Sequence, residues 1–127
     1  MDRPGPPRYE PRVDWVVVGA ILGFLGVAAG AFGAHGLRDS LPADRLAIFE
    51  VAVRYQIYHA FALVLAGILN AQKAGWAFFA GSLIFSGSLY ALVLTDRRWL
   101  GAITPIGGVL LLVGWLLLAL GRGRVSP

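Results

Sequence analysis

WVVVGAILGFLGVAAGAFGA, residues 15–34, runs for twenty positions without one charged side chain. A helix rises about 1.5 Å per residue, so a stretch of this length reaches across the roughly 30 Å hydrocarbon layer of a bilayer. Glycine interrupts it at Gly19, Gly23, Gly26, Gly30 and Gly33, with spacings of four, three, four and three. That is a heptad stripe of the smallest residue. It leaves a smooth groove along one helix face, where a neighbouring backbone can approach closely and gain contacts that lipid does not supply.

The rest of the chain agrees with a membrane setting. Of its 127 residues 57% are hydrophobic and 14% charged, too few charges to keep a soluble domain of this size dispersed. Ala74 to Leu94 and Leu100 to Leu120 are further uncharged spans, and Val51 to Leu69 is a fourth that contains Arg54 and His59. The sequence predicts an all-α integral membrane bundle of four transmembrane helices, with spans at about 13–34, 51–69, 74–94 and 100–120. Trp15, Trp76 and Trp99 each stand at the start of a span, as interface anchors do. Asn70 to Lys73 and Thr95 to Trp99 are short enough to be tight helical hairpins, so only His35 to Glu50 has room for further structure.

Residues 1–12 carry Pro4, Pro6, Pro7 and Pro11 and read as a flexible Pro/Arg-rich tail, with 122–127 as a short basic tail. Arg3, Arg8 and Arg12 before the first span also resemble a signal-peptide n-region, but the apolar run is too long for a typical h-region and retention is expected. The net charge of +4 is scattered over termini and loops rather than gathered on one face. It reads as topology signal and lipid headgroup contact, not as a nucleic-acid surface. The basic flank of the first span favours both termini in the cytoplasm.

The last span repeats the glycine device at Gly107, Gly114 and Gly121, and the third holds Gly81, Ser82, Ser86, Gly87 and Ser88. These small residues read first as helix-packing positions and second as the lining of a solute path. Thr104 before Pro105 offers an N-cap and first helical residue, leaving Leu100 to Ile103 outside the regular helix; a kinked continuous helix is the alternative. After the first span Gly36 suits a left-handed cap. Pro42 then starts a short amphipathic, interfacial extension that runs into the second span as one helix to about Leu69.

The polar residues near that junction form the candidate cluster His35, Glu50, Arg54, Tyr55, Tyr58 and His59. Glu50 and Arg54 are four apart, as are Tyr55 and His59, so they stack on adjoining helix faces. An ionisable group inside a span is a functional hypothesis by default because its burial is costly. For the two histidines three roles compete: a satisfied structural residue, a ligand or proton site, or a metal ligand. The last lacks any recognised ligand spacing, so neither metal nor cofactor is expected. Cysteine is absent, and no nucleophile elbow, phosphate loop or carboxylate pair at membrane depth is present, so an enzyme is the least supported class.

GAFGAHGL at Gly30 to Leu37, AVRYQIYHA at Ala52 to Ala60, FSGSL at Phe85 to Leu89 and LGAITPIGG at Leu100 to Gly108 together resemble one family. It is the set of small membrane proteins catalogued as domain of unknown function 423, related to eukaryotic transmembrane protein 256. The resemblance covers nearly everything after the tail and implies four retained helices in a bacterial inner membrane. It implies no activity. The leading functional expectation is a non-enzymatic module that assembles with itself or with a larger membrane complex through its glycine faces. A small-solute or proton transporter acting as an oligomer, and a lipid-binding protein, are the alternatives; membrane lipids are the expected partners in every case.

Overall fold

A computed structural model describes residues 2–6 and 12–123. The parts of the two expected tails at Met1, residues 7–11 and residues 124–127 lie outside the described residues. Among those described, four helices are long and apolar enough to cross a membrane, and no strand is present. They are α1 (Trp15–Leu37), α2 (Ala43–Ile68), α3 (Gln72–Thr95) and α4 (Thr104–Gly123), with a 3₁₀ segment at Arg98–Ala102 ahead of α4.

The boundaries follow local chemistry. Asp14 caps α1, its carboxylate accepting from the backbone N–H of Val16 and Val17 at 3.1 and 3.3 Å. Between Ala29 and Gly33 the helix widens into a π turn, and it then continues past Gly36, which corrects the expected left-handed cap there. No described glycine has positive φ; the chain turns only after Leu37, whose carbonyl accepts from Ser40 and Leu41. Pro42 opens α2, its carbonyl accepting from Leu46 N–H at 3.0 Å. The two tight hairpins are made by Asn70 and Asp96 at φ 59° and 56°, residue types whose short polar side chains tolerate the left-handed region.

The entry to α4 also differs from expectation. Leu100 to Ile103 is not irregular: most of it is 3₁₀ helix, which keeps its backbone paired at the membrane surface. Thr104 does not cap the backbone; its hydroxyl lies 2.6 Å from Ser88 Oγ on α3. Pro105 falls in the first turn, where no N–H is needed.

Each helix packs chiefly on the one before it in the chain, so α2 and α3 are central and α1 and α4 flank them. The outer helices turn large apolar residues such as Phe24, Phe32, Leu112 and Leu116 outward to lipid. The glycine stripe of α1 faces α2. A methyl group on Gly19 would stand 2.7 Å from the Ala60 carbonyl oxygen, one on Gly26 would stand 2.8 Å from Ile57, and one on Gly33 2.8 Å from the Phe49 ring. Gly30 is nearly as tight against Val53, whereas Gly23 has ordinary room. Gly107 and Gly114 play the same part toward α3, against the Phe85 backbone and the Phe78 ring.

Trp15 is a correction. It is not an interface anchor but one of the most buried large side chains at its end of the molecule, 1% exposed. Its indole lies over Gly75, where a methyl group would collide with Nε1, and it meets Trp76 edge-on at a centroid distance of 5.0 Å. Gln72 secures the same corner, donating to Val13 O at 3.0 Å and accepting from Val13 N–H at 3.3 Å. Trp76 and Trp99 are more than half exposed, as anchors should be.

A polar layer and a lateral cleft

Two apolar cores lie along the bundle. One, toward the chain termini, gathers Trp15, Leu63, Ala66, Phe78 and Leu118; the other, toward the α1–α2 connector, gathers Phe49, Val53 and Val93. Between them sits a layer of buried uncharged polar groups: Gln56, His59, Ser82, Ser86 and Ser88. Gln56 and Ser82 stand near the middle of their helices, about 15–20 Å from the helix ends at 1.5 Å per residue, and therefore near mid-bilayer.

Gln56 ties three helices together. Its amide nitrogen donates to Leu22 O on α1 at 2.9 Å, and its carbonyl oxygen accepts from the Tyr90 hydroxyl on α3 at 2.7 Å. Ser86 donates to Ala52 O at 2.8 Å, and Ser88 donates to Phe85 O at 3.0 Å. Ser82 differs from its neighbours: it is 3% exposed, and its hydroxyl has no hydrogen-bond partner among the described residues. Such groups are costly where no water reaches.

Gln56, Ser82, Ser86 and Tyr90 line a cleft of about 380 Å³ between α1, α2 and α3, whose walls are otherwise apolar. Its rim carries Leu25, Leu83 and Leu94, each at least half exposed, so it opens sideways to lipid rather than endwise to water. Gly87 also lines it, and nothing lies within 4 Å of where its Cβ would be.

His59 stands on the other side of α2. Trp115 of α4 donates its indole N–H to His59 Nε2 at 3.2 Å; an indole nitrogen is a donor only, so Nε2 bears no hydrogen. The ring's hydrogen is then on Nδ1, which donates to Tyr55 O at 2.8 Å. Both nitrogens are engaged, and Phe78, Tyr55 and Trp115 pack around the ring.

The expected cluster is not one site. Tyr55 and Tyr58 accompany His59, half exposed on the helix surface. Glu50 and Arg54 line a shallow groove beside Gly30; no ion pair joins them among the described residues, and His35 is exposed at the end of α1 away from both. Charge is organised elsewhere, on the loop side. The guanidinium of Arg45 donates to the Val93 carbonyl, while Arg98 pairs with Asp44 at 2.8 Å and Asp96 at 3.2 Å. Among the described residues no group of three metal-ligating side chains occurs. Gln56 and Tyr90 were missed by reading for charge and motif. The available signal was an amide seven residues from both Phe49 and Leu63, hence on the buried face of α2.

No solved structure matches the chain. Three relatives are UPF0382 membrane proteins: those of Staphylococcus saprophyticus and Staphylococcus aureus bovine strain RF122, each 46% identical, and that of Bacillus subtilis, 43% identical. The aligned regions cover 87, 88 and 82% of this chain and 98, 97 and 91% of those relatives. A family model also matches residues 29–108, a region that includes Gln56, Ser82, Ser86 and Tyr90. By both measures the chain belongs to the membrane-protein family described as "Protein of unknown function (DUF423)".

Proposed function

We propose that this protein binds a lipid chain in the lateral cleft between α1, α2 and α3. The observation that carries the reading is the cleft's position: it lies within the spanning helices and its rim of Leu25, Leu83 and Leu94 faces the bilayer. Its volume of about 380 Å³ is within the roughly 300–1,000 Å³ range of small-ligand pockets, and its mostly apolar walls with a few placed polar groups have the usual composition of such sites. The reading needs no bond to be made or broken. We place the protein in the cytoplasmic membrane, with the chain ends and the Asn70 turn on the cytoplasmic side, as the basic flank of α1 favours.

We favour the cleft over assembly through the glycine stripes because the chain's own neighbouring helices pack closely on Gly19, Gly26, Gly33, Gly107 and Gly114. A proton path through His59 has little support, since both ring nitrogens are already bonded. The test is native mass spectrometry of the full chain released from bilayer discs. Wild type is expected to retain a lipid that Gly87→Leu loses, the leucine filling the cleft's open side. Leucine there meets no neighbour at Cβ and improves helix propensity, so the variant should fold. Equal retention by both proteins, or none by wild type, contradicts the reading.

A further inference from the structure

We infer that the cleft's ligand is an uncharged lipid whose hydrogen-bond-accepting oxygen reaches mid-bilayer; this rests on the lipid-binding reading and names the class of lipid. An acyl chain alone requires nothing polar at this depth, yet two residues that line the cleft each hold an unused donor. One is Ser82 O–H, buried and without a partner among the described residues. The other is the second N–H of Gln56, because only one of its two amide hydrogens is engaged, by Leu22 O. Gln56's oxygen is already taken by the Tyr90 hydroxyl, which fixes the amide with its nitrogen as the donor end. A site offering donors calls for an acceptor. No charged residue lines the cleft, and an ion brought to mid-bilayer would find nothing to neutralise it. The acceptor is therefore neutral, a carbonyl or ether oxygen rather than a carboxylate or phosphate, with the hydrocarbon remainder lying along the apolar walls and out past Gly87.

A matched pair of probes isolates that oxygen: undecanophenone and undecylbenzene differ only by a carbonyl in place of one methylene. The measurement is the shift in thermal unfolding of the detergent-solubilised full chain as each probe is titrated, which reports its affinity for the folded state. For wild type the ketone is expected to bind roughly tenfold more tightly, the worth of one hydrogen bond to an otherwise unpaired donor. Ser82→Ala, which removes no existing hydrogen bond, should cut that preference severalfold while leaving undecylbenzene binding unchanged, and Gly87→Leu should weaken both probes. Equal affinities in wild type, or a preference undiminished in Ser82→Ala, would overturn the inference and leave lipid binding standing. Failure of both probes to bind wild type would sink both readings together.

Discussion

At the level of single residues, the molecule is held by side chains whose partners lie far away in sequence. Trp15 rests on Gly75, and His59 accepts from Trp115, 56 positions on. Gly75→Ala is expected to lower stability by about 1–3 kcal/mol through overpacking against the indole, measured by reversible unfolding in mixed micelles. His59→Phe keeps a ring but removes the acceptor for the Trp115 N–H, and a loss of about 1–3 kcal/mol is expected from that orphaned donor. A neutral result for His59→Phe would mean that the Trp115 contact carries no weight. Neither partnership was legible in the sequence. A tryptophan opening an apolar run looks the same whether it faces headgroups or a glycine on another helix, and a histidine's neutral, doubly bonded state depends on a donor two helices further along the chain.

Among the elements, α1 is the one whose sequence told most. Its apolar run fixed a span, and the period of its glycines marked one close-packed face; what remained hidden was whether that face met a second molecule or the chain's own α2. It meets α2, and unequally. Gly19→Leu should be severely destabilising, because its Cβ would stand 2.7 Å from a backbone oxygen that cannot swing aside. Gly23→Ala, with its nearest neighbour at 3.7 Å, should fall within about 0.5 kcal/mol of wild type. Thermal unfolding of the two variants side by side checks this; similar midpoints would contradict the packing described. The helix ends on the loop side were read less well, since caps and 3₁₀ turns depend on contacts such as Ser88 with Thr104 that no local pattern encodes. There the exposed pairs of Arg98 with Asp44 and Asp96 should contribute little to stability, and fade with salt.

For the whole molecule, two apolar cores separated by a polar layer leave a gap where α1, α2 and α3 come together around Gln56 and Ser82. The four-helix architecture was legible from hydropathy alone. The gap was not, because it arises from how three helices fail to close, and the residues beside it are uncharged and outside any catalytic pattern. Its occupation by lipid is the central claim. It is tested most directly by irradiating the full chain in bilayer discs containing phosphatidylcholine with a diazirine placed midway along one acyl chain, and then mapping the adducts by peptide mass spectrometry. Adducts concentrated on cleft residues such as Leu22, Ser86 and Gly87, above those on the lipid-facing Leu112 and Leu116 and lost in Gly87→Leu, are the expected result; labelling spread evenly over the outer faces, and unaltered by that substitution, would contradict the account.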